Sequence, residues 1–201
     1  MTESAEECAF HEAGHAIVAL ALGIVPFSAE IDPTYARGYG GRCGVPVGLP
    51  VEIQVCISLA GMYGERLVNG IEPSEEHLGG TGDRLYARQL LEREALTAPP
   101  GTYDVDARYA ELGLRTAHLV NDHREEIEAT AATLLERAYI TGGGIVMISR
   151  AIRSTNGETF GPLFRVDEAE ILGPWRRLQE KRKSYSPGRP DEDTSSEGKT
   201  G

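Results

Sequence analysis

The first apolar stripe along the chain has helical spacing: Phe10, Ala13, Ile17, Leu20 and Ala21 fall along one side of a helix. Ser4 and Glu7 can open that helix as a capping box, Gly23 stops it, and Pro26 follows soon after. From residue 24 to 50 the period changes. Two β-prone pieces, Phe27 to Ile31 and Cys43 to Val47, flank the run Arg37-Gly38-Tyr39-Gly40-Gly41-Arg42 and predict a small strand–loop–strand element. The glycine run lacks the Gly-Lys-Ser/Thr ending of a phosphate loop. Helical spacing returns over 51–69, and a loop with Pro73 and Gly79-Gly80 follows. A helix is predicted from Asp83 to about Leu96, bounded by Pro99-Pro100-Gly101, then a long helical region over 105–139 with a break near Asn121. Thr141-Gly142-Gly143-Gly144 punctuates the chain before a short apolar segment, Ile145 to Ile152.

Toward the end the pattern is lost. Trp175-Arg176-Arg177 and Lys181-Arg182-Lys183 make a basic cluster that reads as a solvated helix end. From Ser184 onward Ser, Pro, Gly, Asp and Glu dominate, which predicts a disordered tail over 184–201. The pattern as a whole predicts one mainly α (α+β) domain over 1–183, with a small β-hairpin or short sheet beside the first helix.

Composition changes this picture by exclusion. Thirty-one acidic residues against 20 basic ones give a formal net charge of −11, which argues against nucleic acid and anionic membranes as partners. Cys8, Cys43 and Cys56 show no CxxC spacing and no disulfide framework, so a reducing compartment is expected. The start, Met1 to Glu7, is acidic where a secretory signal is basic. The longest apolar run, Ala16 to Phe27, is too short to span a bilayer and contains Pro26. The expectation is a cytoplasmic chain with no membrane span.

The polar positions of the first helix carry the chemistry. In His11-Glu12-Ala13-Gly14-His15 the two histidines are four residues apart, one turn apart on one helix face, so both imidazoles can reach a single ion. Neutral imidazole suits zinc, and a catalytic zinc keeps three protein ligands and an open position. Glu12 stands where the HExxH arrangement places a general base that contacts the attacking water and leaves the metal to the histidines. Ala13, Gly14, Ala16, Ile17 and Val18 make the surroundings small and apolar, and His, Glu and His are costly in a buried helix unless engaged. For the third ligand, Glu65, His77, Asp83, Asp104 and Asp106 are the candidates.

Four blocks in order, FHEAGHAIVALALG, IDPTYARGYGG, LAGMYGERLVNG and GTGDRLYARQL, resemble the protease domain of the FtsH family of ATP-dependent zinc metalloproteases. The later segment LVNDHREEIEATAATLLERAYITGGGI resembles the helical end of that domain, so the similarity spans about residues 5–150. The resemblance implies a helical zinc-metalloprotease domain with Asp83 as the third zinc ligand, since Ala87 and Leu90 follow it at the family's spacing. It implies Glu65 as a carboxylate that orients a ligating histidine, or as the reserve ligand, and the stretch Ile31 to Gly41 as a strand beside the cleft that pairs with an extended substrate. Family members carry a membrane segment and an ATPase module ahead of this domain, and neither is visible here. The expected function is therefore a zinc metalloendopeptidase that cuts flexible or unfolded polypeptides, with a separate ATPase or adaptor and a homo-oligomer as further expectations. The alternative is a catalytically silent zinc-containing interaction module derived from such a protease.

Overall fold

The protein, seen in a computed structural model, is described over residues 4–32, 40–69, 81–158 and 167–184. It is mainly helical, with a small antiparallel sheet. In chain order the elements are α1 (Ala5–Ala21), β1 (Ser28–Asp32), β2 (Gly40–Gly44), α2 (Val51–Asn69), α3 (Thr81–Ala95), α4 (Val105–Asp122) and α5 (Arg124–Arg137). Then come β3 (Tyr139–Thr141), α6 (Gly142–Thr155), α7 (Glu168–Ile171) and α8 (Gly173–Ser184). Among the described residues no helix is long and apolar enough to cross a membrane.

Helix α1 starts with the predicted capping box: Ser4 Oγ accepts from the Glu7 amide at 3.1 Å, and Glu7 accepts from the Ser4 amide at 2.8 Å. Its burial differs from a one-sided stripe, because every residue from Cys8 to Ala19 is buried. The small residues make this possible. Gly14 and Gly64 bring the backbones of α1 and α2 together; a Cβ on Gly14 would lie 2.5 Å from the Ala60 carbonyl oxygen, and one on Gly64 would overlap the Phe10 carbonyl. Around α1 one core gathers Phe10, Ile17, Ile127, Leu134, Ile145 and Ile152. A second core, with Val55, Leu59, Leu91 and Leu112, joins α2 to α3 and α4.

The sheet has the order β2-β1-β3. Ile31 faces Gly41 across one ladder, and Ala29 faces Ile140 across the other. Several boundaries depart from the periodicity. The second strand is Gly40–Gly44, short of the predicted Cys43–Val47, because Pro46 has no amide for a ladder and Val47 stands almost wholly in solvent. The break in the long helical region falls at His123. Its end is also different: Ala138 takes the left-handed conformation (φ 58°), stops α5, and releases Tyr139–Thr141 as an edge strand. Thr141 and the three glycines after it then open α6, with Thr141 Oγ1 accepting from the Gly144 amide at 3.2 Å.

Most of the basic cluster near the end is exposed, as a solvated helix end would be, but two of its arginines also tie α8 to the body of the protein. Arg177 makes two hydrogen bonds to Glu136 at 2.9 and 2.8 Å, and Arg182 reaches Glu6 at 3.0 Å. The Arg182 guanidinium also lies over the Phe10 ring, 5.0 Å from its centroid. The aliphatic and planar parts of arginine suit this kind of contact, which a charge count along the sequence does not reveal. Of the predicted tail only Ser184, the last residue of α8, belongs to the described residues.

Two outcomes follow. Gly64→Ala favours the isolated helix, yet it should destabilise the protein by about 1–3 kcal/mol in urea denaturation, because the new methyl meets a backbone that has no room to yield. At the α4–α5 junction His123 Nδ1 bonds Glu126 at 2.8 Å, and Glu126 also accepts from Ser149. The Glu126 carboxylate raises the His123 pKa against the opposing effects of burial and Arg153. The stabilisation from this pair is therefore complete below the unfolded imidazole value of about 6.5 and is lost as pH rises through the raised folded value. His123→Ala should cost more stability at pH 6 than at pH 9, measured by denaturation at both.

Candidate metal centre

Two helices aim donors at one point, and a third lies under it. Helix α1 contributes His11 and His15 from successive turns, α2 passes beneath them, and α3 presents Asp83 from its first turn. His11, Glu12 and His15 are 7, 5 and 8% exposed, whereas the Asp83 side chain is 36% exposed, so the centre is open on the α3 side. His11 Nε2 lies 2.9 Å from His15 Nε2 and 3.0 Å from Asp83 Oδ2, and His15 Nε2 lies 3.5 Å from the same oxygen.

The far side of each ring fixes what the near side offers. His15 Nδ1 lies 2.6 Å from the Ile57 carbonyl oxygen, which can only accept, so that nitrogen carries the hydrogen. His11 Nδ1 likewise donates to the Glu65 carboxylate. In the neutral rings both Nε2 atoms are then lone pairs, facing each other and an acidic oxygen. Three acceptors this close repel unless a cation lies among them.

In the metal-free chain that cation is a proton. Burial opposes charge on His11 most strongly, but Asp83, Glu65 and Glu12 together outweigh it, and the imidazole is raised to about 10. Burial also acts against ionisation of Asp83, and the two imidazoles reverse this, holding its carboxyl well below the usual carboxylate range.

A zinc ion fits the same place by three observations. The donor set is two imidazole nitrogens and one carboxylate oxygen, all within 4.8 Å of one another. Their separations bracket the roughly 3.4 Å edge of a tetrahedron whose ligands lie about 2.0–2.1 Å from zinc. The space is kept clear by Gly61, since a Cβ there would lie 2.5 Å from His11 Nε2 and 2.6 Å from His15 Nε2.

Glu12 sits beside this group without joining it. Its Oε2 is buried with no hydrogen-bond partner among the described residues. Burial pushes its carboxyl upward, the His15 and His11 charges pull it back, and Asp83 and Glu30 add to the rise. Strand β2 crosses directly over it: a Cβ on Gly41 would meet the Glu12 side chain. Cys43, two residues along β2, stays a protonated thiol, pushed up by burial and then by the Glu12 charge.

The structure brings together His11, Glu12, His15 and Asp83 and sets Glu65 behind His11, away from the three converging donors. Asp104 instead caps α4 by accepting from the Ala107 amide at 3.0 Å, and Asp106 pairs with Arg88 at 2.7 Å. His77 lies outside the described residues. Two contributors are absent from the sequence reading, the Ile57 carbonyl and Gly61, while Gly41 entered it only as the end of the strand beside the cleft. Any residue offers a carbonyl, so Ile57 carries no signal. Gly61 carries one, because glycine inside a helix costs about 1 kcal/mol relative to alanine and invites a reason. No protein-family model matches the chain, and no curated protein matches it.

Gly61→Ala provides the sharpest test of the geometry. The added methyl favours helix, so a cooperative melt should persist, while bound zinc measured by atomic absorption should fall from about one per chain to near zero. Full zinc content in that variant would show that the ion is held elsewhere.

Proposed function

We propose that this chain is a zinc metalloendopeptidase of the FtsH protease type, cutting flexible or unfolded polypeptides in the cytoplasm. The observation that carries the reading is the pairing of a tied, three-donor metal centre with a buried carboxylate, Glu12, whose Oε2 has no hydrogen-bond partner among the described residues and which stands next to it. A purely structural zinc site closes with four protein ligands and has no use for such a group.

His11, His15 and Asp83 would hold the ion. When bound, zinc supplies Lewis acidity, which polarises a carbonyl and makes water acidic near neutral pH. The chain's own residues do the rest. Glu65 and the Ile57 carbonyl keep both rings in the tautomer that presents Nε2, so no reorientation is needed when substrate arrives. Glu12 takes one proton from the attacking water as its oxygen bonds to the scissile carbonyl carbon. The same carboxyl gives that proton to the amine nitrogen as the C–N bond breaks, leaving a carboxyl and an amine terminus. The rise of its pKa by burial suits both halves of this task, making it a stronger base and leaving it a competent acid.

Substrate class follows from the sheet. The order β2-β1-β3 leaves β2 at an edge, and β2 lies against Glu12 through Gly41. A polypeptide pairing with that edge runs past the carboxylate in extended form, held by backbone hydrogen bonds that ignore sequence. Residues 33–39 of the strand region named by the resemblance lie outside the described residues. The three free cysteines accord with a reducing compartment.

Casein hydrolysis by the zinc-loaded protein tests the proposal. Glu12→Gln should slow cleavage by about 100-fold or more with zinc content unchanged. Equal cleavage by Glu12→Gln would refute the assigned base. A zinc-loaded wild type that cuts neither casein nor a peptide library would favour the silent interaction module instead.

A further inference from the structure

The sheet has a second edge, on β3, and the proposed chemistry does not use it. Beside that edge lies a cavity of about 330 Å³, toward the lower end of ligand pockets, which run from roughly 300 to 1,000 Å³. Its walls come from α5, β3, α6 and α7, and they are mostly apolar: Ile140, Met147, Ile148 and Ile171 line it, with Tyr139 and Arg137 at the rim.

Backbone polarity at this edge follows from the ladder. Ile31 donates to the Ala138 carbonyl at 2.8 Å and Gly142 donates to the Phe27 carbonyl at 2.7 Å, so residues 138 and 142 turn toward β1. By the alternation of an antiparallel pair, the amides of Tyr139 and Thr141 turn the other way, toward the free edge. Charge is the second selective feature. The chain carries a net charge of −11, yet among the described residues no acidic one lines this cavity. The Arg137 side chain is exposed there and makes no ion pair or hydrogen bond among the described residues, the neighbouring Glu136 being held by Arg177.

The geometry points to a peptide-binding groove on β3 that takes the extended C-terminal end of a polypeptide as an added strand. Its last apolar side chain enters the cavity and its terminal carboxylate meets the Arg137 guanidinium, whose planar donors match a carboxylate in pairs. A small apolar acid would fill the cavity and leave the outward amides of Tyr139 and Thr141 unanswered; a peptide backbone answers both. A second copy of the chain suits the edge poorly. Two molecules of charge −11 repel.

The groove lies on the sheet edge opposite β2 and needs neither zinc nor Glu12, so it can be tested apart from proteolysis. The probe is a fluorescein-labelled peptide of alternating valine and threonine ending in leucine with a free carboxylate, titrated with the full chain and followed by anisotropy. Saturable binding is expected, unchanged in Glu12→Gln and after zinc chelation. Amidation of the peptide terminus and Arg137→Glu should each weaken binding about tenfold. N-methylation of alternate peptide amides should abolish it, and Met147→Arg, which fills the cavity, should do the same with an unaltered melt. The inference is overturned by absence of saturable binding, by equal affinity for acid and amide peptides, or by loss of binding on chelation, which would place the peptide in the metal cleft. Sedimentation showing a dimer that Arg137→Glu dissociates would assign the edge to a second copy and overturn it too. Casein cleavage is unaffected by any of these outcomes and continues to judge the protease reading separately.

Discussion

Close backbone contact between α1 and α2 is the constraint on which the rest of this structure depends. Gly14 and Gly64 let the helices approach until a side-chain carbon would strike a carbonyl oxygen. At that separation the Ile57 carbonyl reaches His15, Glu65 reaches His11, and Gly61 leaves room between the two rings. Each of these relations fails if the helices move apart by the width of a methyl group. Packing at this density costs side-chain volume in the core, and the apolar clusters on either side of α2 supply the burial that small residues do not.

A second consequence of that contact is electrostatic. Two imidazoles and three carboxylates (Glu12, Glu65 and Asp83) are gathered on or beside a helix with no solvated face. Such a group is stable only with positive charge inside it. Protonation of His11 meets the need without metal, and a divalent cation meets it more completely. The arrangement thus favours the ion through the same charges that align its ligands.

Much of this was legible in the sequence. The capping box at Ser4 and Glu7 and the spacing of His11 and His15 gave α1 and two donors, because both depend on local helix geometry. Asp83 and Glu65 were two of five candidates until resemblance to a protease family singled them out, since nothing local in a first-turn aspartate says which helix it faces. What stayed hidden was set by tertiary contact. Strand β3 follows from the left-handed turn at Ala138, and the docking of α8 follows from where Glu136 and Glu6 lie in space. Glycine as the residue that keeps the space beside the two imidazoles clear was readable only as an unexplained helix breaker at Gly61.

The uneven burial of the donors separates two kinds of motion. Helix α1 is enclosed from Cys8 to Ala19, so its amides exchange with solvent only when the whole domain opens, and its two histidines stay in register until then. Asp83 stands in the first turn of α3 with about a third of its side chain in water, and helix ends fray at little expense. An ion held at the proposed centre would therefore enter and leave past α3, while the shape of the site resides in α1. A centre divided in this way would let an ion pass without the buried helix that carries both imidazoles having to open.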